Sequence, residues 1–205
     1  MTIARQPSLQ ATLLTLVAGI ADAVGYITMG GVFAANMTGN TVLAGIAIAE
    51  AHYADAARHL SPLVTFFIGA MLARLILRLW RKPAMAIALE AALLAGLDFL
   101  PLGMESKVLV IAFAMGLQAS AITQFAGASI STVVVTSTLA RTADAALDAL
   151  LPSAVKAQPA TTTPRLLLLT WLGYLAGAIA GALLLHVMPW PLIVPAALLV
   201  VVMVL

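Results

Sequence analysis

Long apolar runs, each about the length needed to cross a bilayer, are the feature that most restricts how this chain can fold. The run from about Leu9 to Met29 contains one charged side chain, and comparable runs recur to Leu205. About 20 mostly apolar residues span the hydrocarbon core as an α-helix. Only 9% of residues are charged and 63% are hydrophobic, whereas soluble domains carry about 25% charge. The sequence therefore predicts an all-α integral membrane protein whose outer surface faces the lipid bilayer.

The apolar runs divide the chain into six full spans and two short helices. The predicted full spans are about Leu9–Met29, Pro62–Arg81, Ala84–Pro101, Lys107–Thr123, Leu166–His186 and Pro189–Leu205. One short helix is predicted from Thr38 to about His52, and the other ends near Leu151. Each short helix follows a polar segment, which predicts a broken or re-entrant element in place of a full crossing.

The distribution of basic residues favours six crossings over eight. If both short helices enter the membrane without crossing it, one side receives most of the basic residues, namely Arg5, Arg78, Arg81, Lys82, Arg141, Lys156 and Arg165. Arg58 and Lys107 fall on the other side. Cytoplasmic loops carry an excess of Lys and Arg, so both termini are predicted to be cytoplasmic. Eight crossings would divide the basic residues between the two sides.

The two halves of the chain resemble each other. GIADAVGYITMGG in the first half matches GLQASAITQFAGA in the second, with Gly19 opposite Gly116. FFIGAMLAR resembles TWLGYLAGA, with Gly69 opposite Gly173. Three full spans in each half is an odd number, so the second half enters the membrane in the opposite orientation. The predicted inverted membrane repeats are residues 1–105 and residues 106–205.

Two longer stretches also carry a family resemblance. DAVGYITMGGVFAANMTGNTVLAG and AMGLQASAITQFAGASISTVVVTSTLAR resemble the two signature regions of the YoaK-like family of bacterial multi-pass membrane proteins of unknown function. The resemblance covers nearly the whole chain and implies about six spans in the bacterial inner membrane. The family tends to have Thr-Gly-Thr in the second half, where this chain has Thr136, Ser137 and Thr138. The resemblance implies no substrate.

The two polar segments form the candidate binding site. GVFAANMTGNT gathers two Asn, two Thr and two Gly between apolar runs. Non-helical backbone inside a bilayer is tolerated only where it is buried in protein or lines a water-filled cavity. Broken helices at corresponding positions of inverted repeats mark the midplane site of secondary transporters. The predicted substrate-binding residues are Asn36, Thr38, Gly39, Asn40, Gln118, Ser131, Thr132, Thr136, Ser137 and Thr138.

These polar residues are open to two interpretations, which do not exclude each other. Two short helices that begin near the midplane, capped by Thr38 and Thr136, would direct two positive dipole ends at one solute, and such ends bind anions. In the structural interpretation, the same side chains satisfy the freed backbone groups and hold the broken helices together.

Ionisable side chains inside the spans sharpen the choice. Asp22 lies two-thirds of the way along the first span, and charges at such depth usually mark ion or proton pathways. Asp22 is therefore the proton-coupling candidate, and the alternative is an interfacial aspartate that either snorkels to the membrane surface or bonds to Asn36. Gln118 is predicted to bond to a ligand or to a neighbouring helix. Glu90 lies midway along the fourth span, where an ion pair with Arg74 is favoured over a coupling role.

The sixth span carries a face of small residues. Gly173, Gly177 and Gly181 form GxxxGxxxG, a spacing that lets two helix backbones approach closely in lipid. Two partners are open for this face. One is the Gly69 and Ala73 face of the third span, and the other is the same face of a second copy, which would form a homodimer.

No enzyme class is supported. The chain contains no cysteine, no nucleotide-binding motif and no paired acids, so no catalytic residue, cofactor, metal site or nucleic-acid partner is predicted. The predicted function is a small secondary transporter or channel-like carrier for a small solute, with an anion or carboxylate favoured by the helix dipoles. The alternative is a non-transporting membrane scaffold or partner-binding subunit.

Overall fold

The computed structural model describes residues 7–122, 124–125, 128–129, 140, 143, 147 and 164–205. In this part of the chain it contains seven helices and one pair of short strands. The elements are α1 (Pro7–Thr28), α2 (Met37–Ala49), α3 (Tyr53–Trp80), α4 (Pro83–Leu97), α5 (Met104–Ala121), β1 (Gln124–Phe125), β2 (Ala128–Ser129), α6 (Pro164–Val187) and α7 (Ile193–Val204). The strands are antiparallel, with Gln124 opposite Ser129, and the sequence did not predict them.

Three of the described helices, α1, α3 and α6, are long and apolar enough to cross a membrane. Three more, α2, α4 and α7, are apolar but only 10–17 residues long. These lengths support the prediction of a helical membrane protein. The count of six full spans stays a prediction.

Helix boundaries follow local chemistry in several places where the apolar pattern alone was insufficient. The third helix was predicted from its apolar run to begin at about Pro62. That boundary is wrong, since α3 begins at Tyr53 and runs through Pro62. At the other end, Arg81 adopts a left-handed conformation with φ 54°. Pro83 then occupies the first turn of α4, where its missing N–H costs no hydrogen bond.

The end of α1 shows why two glycines follow it. Gly30 and Gly31 have φ values of 73° and 79°, a region that costs glycine little and other residues much more. The Gly31 N–H donates to the Tyr26 carbonyl at 3.0 Å, which is the six-residue closure of a Schellman helix end. The two glycines therefore reverse the chain directly after α1.

Two pairs of helices pack with their backbones in contact. In the α1–α6 pair, a Cβ added at Gly177 would collide with the Leu16 carbonyl oxygen, and one added at Gly19 would collide with the Tyr174 carbonyl oxygen. In the α3–α5 pair, glycines again stand where a Cβ would meet the backbone of the partner helix. Such close approach increases dispersion contacts between helices in lipid.

The glycine face of α6 has a different partner from either one predicted. Gly173, Gly177 and Gly181 are buried, and a Cβ at any of them would meet atoms of α1. The predicted contact with the Gly69 face of α3 is therefore wrong, because Gly69 packs against Phe113 of α5. The face is also not accessible to a second copy. A homodimer through some other surface stays untested.

The core lies around α1, which packs against α5, α6 and α7. Its fully buried side chains include Leu14, Val17 and Ile20. A second layer comes from α4, α5 and α7, whose buried large side chains include Ile87, Leu94, Ile111, Met115 and Leu199. By contrast, α3 exposes Phe67, Met71 and Leu79, as expected for a helix that faces lipid.

Candidate functional site

The segment after α1 runs back along the same helix. The Phe33 ring lies 4.7 Å from the Tyr26 ring, and a Cβ at Gly25 would lie 3.2 Å from the Val32 carbonyl oxygen. Further along, the Ala35 N–H reaches Asp22. Residues 32–36, which we call the return segment, are therefore non-helical and antiparallel to the end of α1. Their deepest point lies six residues, or about 9 Å, from the C-terminal end of that helix.

From this depth α2 leads the chain back to the end where it entered. After α2 the chain turns at Glu50, Ala51 and His52, and α3 then begins. Arg58 in the second turn of α3 lies beside the turn that ends α1, since a Cβ at Gly30 would be 3.8 Å from Arg58 Nη1. The return segment and α2 thus enter and leave at one end of the helix bundle.

Asp22 anchors the return segment to two helices. Its side chain is 3% exposed. Asp22 Oδ1 accepts from the N–H groups of Ala35 at 2.6 Å and Asn36 at 3.1 Å. Asp22 Oδ2 accepts from the hydroxyl of Tyr174 on α6. An ionised carboxylate acts only as an acceptor, and here donors meet both of its oxygens.

Two asparagines complete the bonding of the return segment. The fully buried Asn40 accepts from the Phe33 N–H at 2.9 Å and donates to the Phe33 carbonyl at 2.7 Å. The Asn36 side chain accepts from the Gly39 N–H at 3.0 Å and caps α2. The predicted capping role of Thr38 is therefore wrong. The cap falls two residues earlier because Asn36, like Thr38, is a strong capping residue and lies where the helix begins.

Gly39 is required here for space. A Cβ at Gly39 would lie 2.9 Å from Asn36 Nδ2 and from the Phe33 ring. Thr38, by contrast, is exposed. The structure thus brings Asp22, Asn36 and Asn40 together with Gly39 and leaves Thr38 at the surface of the described part of the chain.

The remaining predicted site residues lie elsewhere. Gln118 is fully buried on α5, and its Nε2 donates to the Leu14 carbonyl of α1 at 3.0 Å. This bond confirms the alternative in which Gln118 links two helices. Leu14 is eight residues, about 12 Å, from Asp22. Five predicted residues lie outside the described part of the chain, namely Ser131, Thr132, Thr136, Ser137 and Thr138.

The Asp22 interactions bear on its predicted roles. The predicted bond between Asp22 and Asn36 is confirmed, through the backbone N–H of Asn36, whereas the snorkelling position is wrong because Asp22 is buried. The proton-coupling role stays a prediction. Sequence reasoning missed Tyr174, whose hydroxyl is the long-range donor to Asp22. A tyrosine inside an apolar span, one residue after the Gly173 of the glycine face, was the available signal.

Glu90 differs from Asp22 in its surroundings. It is 0% exposed, and neither carboxyl oxygen has a hydrogen-bond partner among the described residues. The predicted ion pair with Arg74 is not formed between these two described side chains, because Arg74 is exposed. The face of α3 that turns inward carries Gly69, Ala73 and Ile76 instead.

Charged groups at the end of the bundle form a surface cluster. Arg58 lies 3.2 Å from Asp55 and 3.8 Å from Glu105, and all three side chains are at least two-fifths exposed. Exposed pairs of this kind contribute about 0–1 kcal/mol. Across the described ranges, no group of three or more His, Asp or Glu side chains is arranged to hold a metal ion.

Long apolar helices around a buried, hydrogen-bonded polar segment define a polytopic helical membrane protein. A family described as "Protein of unknown function (DUF1275)" matches residues 10–205, and the chain belongs to that family. It is 38% identical over 151 residues to UPF0700 transmembrane protein YoaK of Bacillus subtilis (strain 168), covering 68% of this chain and 67% of that protein. No solved structure matches the chain. The predicted family is confirmed, and the relative's transmembrane description agrees with a membrane location.

Proposed function

We propose that this protein is a small secondary transporter or channel-like carrier built from two inverted halves. The observation that carries the proposal is the return segment. Inside a bilayer, non-helical backbone persists only where protein or trapped water satisfies it. Here one carboxylate and one asparagine from the neighbouring helices bond to the backbone of Phe33, Ala35 and Asn36. Re-entrant elements of this kind form the binding sites of many secondary transporters.

The glycine contacts support the repeat. Gly19 packs on α6 at Tyr174, and Gly116 packs on α3 at Phe66. In return, α6 packs on α1 at the residue three before Gly19, and α3 packs on α5 at the residue three before Gly116. A pseudo-two-fold axis that exchanges α1 with α5 and α3 with α6 generates this reciprocal pattern.

The same contacts revise the register of the proposed repeat. The sequence match set Gly69 opposite Gly173. A Cβ at Gly69 would collide with the Phe113 carbonyl, and one at Gly177 would collide with the Leu16 carbonyl. In the proposed repeat, Gly69 therefore corresponds to Gly177, one helical turn beyond Gly173 on α6. Apolar segments that are rich in Ala and Gly align almost equally well at either register, which explains the shift.

The solute site belongs, in this proposal, at the N-terminus of α2. The Asp22 carboxylate already accepts from the N–H groups just before α2, which is where the helix dipole favours an anion. The proposed solute contact on α2 is Thr38, which is exposed and lies two residues after Asn36. The predicted preference for an anion or carboxylate then depends on the second polar segment, whose predicted residues lie outside the described part of the chain.

Reconstitution in liposomes tests this proposal. Uptake of a panel of small anions, carboxylates and neutral solutes is measured for the wild-type protein, Thr38→Val and Thr65→Val. Thr65 is the matched control, because its hydroxyl bonds to the Pro62 carbonyl within α3. We expect at least one solute to be moved, with uptake about tenfold lower in Thr38→Val, the equivalent of about 1.4 kcal/mol. Absence of uptake for every solute, or equal uptake by both variants, contradicts the proposal.

One observation favours the second candidate, a non-transporting scaffold or partner-binding subunit. The polar side chains of Asp22, Asn36 and Asn40 are all engaged by groups of the chain itself. If this bonding is the whole purpose of the polar segment, the reconstituted protein moves no solute, Asp22→Asn lowers only the stability, and affinity capture from membranes recovers a defined partner. Transport by the reconstituted protein alone excludes this candidate.

A further inference from the structure

A buried carboxyl group in α4 has no explanation in the proposed site. Glu90 lies seven residues from each end of α4 (Pro83–Leu97), which places it about 10 Å from either end. It shares its helix face with Ile87, Ala91 and Leu94, all at most 7% exposed. Neither carboxyl oxygen has a hydrogen-bond partner in the described part of the chain. An isolated buried carboxylate is so unfavourable that such a group takes up a proton instead.

No charged side chain of the neighbouring described helices is placed to stabilise an ionised Glu90. Of the described helices that pack on α4, α7 contains no titratable side chain. The charged groups of α5 are Glu105 and Lys107 in its first two turns. The positive charge of Lys107 interacts electrostatically with Asp98. Asp98 is eight residues along the helix from Glu90, a distance of about 12 Å.

The third neighbour, α3, carries its charges away from Glu90. Its basic residues nearest the turn into α4 are Arg74 and Arg78, and both are exposed. Its other titratable side chains, Tyr53, Asp55, Arg58 and His59, lie in the first two turns, at the opposite end of the helix. No ion pair joins Glu90 to any described residue of these helices.

A metal ion fits this position poorly. Sodium-like and divalent cations need several oxygen ligands, about six for Ca²⁺ or Mg²⁺. The backbone carbonyls around Glu90 belong to continuous helices, and no second acidic side chain lies beside it among the residues described. A proton needs only one carboxyl oxygen. The chemistry on this face of α4 therefore suits a proton better than any other cation.

We propose that Glu90 is a proton-binding site, which is loaded in this conformation and releases its proton only when the packing of α4 against α5 and α7 opens. Opening would admit water to the carboxyl group, and hydration would stabilise its ionised form. The binding of the proton does not depend on transport. A role of Glu90 as the coupling site of a carrier rests on the proposed function.

Infrared difference spectroscopy on the full-length protein in nanodiscs tests the loaded state. Spectra are recorded between about pH 5 and about pH 9, a range that begins above the ordinary pKa of an exposed glutamate. We expect the C=O band of a protonated carboxyl to persist at neutral pH in the wild-type protein. The band should be lost in Glu90→Gln and kept in Glu105→Gln, whose side chain is 83% exposed in the parent. Absence of the band at neutral pH, or its full retention in Glu90→Gln, overturns the proposal.

Thermal stability provides a second readout that does not depend on assigning a band. If Glu90 is protonated when folded and exposed when unfolded, the folded state binds the extra proton, and stability falls as pH rises. Glu90→Gln is permanently neutral and should lose this part of the slope. Every other titratable group is present in both proteins, so its contribution to the slope is the same in the two measurements. Equal slopes in the wild-type protein and Glu90→Gln overturn the proposal.

Transport assays separate this inference from the proposed function. In liposomes with a pH gradient, a coupled carrier with Glu90→Gln should lose gradient-driven accumulation and retain solute exchange. If gradient-driven accumulation is unchanged, the coupling role is wrong. If the wild-type protein moves no solute while the infrared band behaves as expected, the carrier proposal fails and the proton site stands.

Discussion

The two close helix pairs, α1–α6 and α3–α5, use the same backbone contacts and differ in one polar bond. Glycines at equivalent places allow carbonyl oxygens to approach in both pairs. In the α1–α6 pair, Tyr174 also donates to Asp22. The α3 carbonyl against Gly116 belongs to Phe66, as the α6 carbonyl against Gly19 belongs to Tyr174, and Phe66 has no hydroxyl to donate.

This difference distinguishes the role of backbone packing between helices from the role of the hydrogen bond between Asp22 and Tyr174. Since α3 and α5 approach as closely without a polar bond, Asp22 and Tyr174 are not needed to hold two helices together. Asp22 instead holds the return segment, which only the α1–α6 pair has beside it among the described elements. Three substitutions test this separation, in order of decreasing effect.

Closing the glycine contact should have the largest effect. Gly177→Ala places a Cβ against the Leu16 carbonyl and forces α1 and α6 apart, so we expect a loss of about 3 kcal/mol or more, at the upper end of overpacking costs. Gly69→Ala should cost a similar amount if the two pairs are equivalent. Thermal unfolding in detergent, followed by size-exclusion profiles, measures both.

Gly45→Ala is the control for this pair, because nothing lies within 4 Å of a Cβ at that position. Alanine there should stabilise α2 by up to about 1 kcal/mol through helix propensity. If Gly69→Ala is tolerated as well as Gly45→Ala while Gly177→Ala is not, the equivalence of the two helix pairs is lost.

Removal of the Asp22 carboxylate should have the second largest effect. Asp22→Ala leaves the buried N–H of Ala35 and the partly buried N–H of Asn36 without their acceptor, at about 1–3 kcal/mol for each unsatisfied buried group. We expect a total loss of about 2–3 kcal/mol, and a smaller loss for Asp22→Asn, which retains one oxygen. Asp55→Ala, in an exposed ion pair, should cost less than about 1 kcal/mol. Equal losses for Asp22→Ala and Asp55→Ala would show that the return segment does not depend on the carboxylate.

Loss of the tyrosine hydroxyl should have the smallest effect of the three. Tyr174→Phe makes the α1–α6 pair chemically like the α3–α5 pair and should cost about 1 kcal/mol, as for other hydrogen bonds between membrane helices. Tyr53→Phe is the control, because Tyr53 is 69% exposed. A difference of zero between the two variants in the same unfolding assay would mean that the polar bond adds nothing to the packing.

Much of the first polar segment could be predicted from the sequence. Asn36 and Asn40 stand out because they are the two asparagines of the chain, and Gly39 stands out because it lies between them. The direction of their bonds could not be predicted, since it depends on how the chain turns at Gly30 and Gly31. Tyr174 was missed because its partner lies 152 residues away in the sequence.

Side-chain direction accounts for the other errors. Arg74 and Glu90 lie at comparable depth if α3 and α4 are antiparallel, which made an ion pair the natural prediction. Depth does not determine which way a side chain points, and Arg74 points outward. The glycine face of α6 was likewise recognised as an interface, but the spacing of glycines does not identify the partner helix.

The reciprocal pairing of helices also constrains how the protein is made. Both backbone-to-backbone contacts join a helix of the first half to a helix of the second, so neither can form before its later helix, α5 or α6, has been synthesised. Until then, α1 and α3 lie in the bilayer without their partner helices, and Asp22 accepts hydrogen bonds only from the nearby N–H groups of Ala35 and Asn36. Each half expressed alone should therefore fold poorly, and the two halves should fold when they are expressed together.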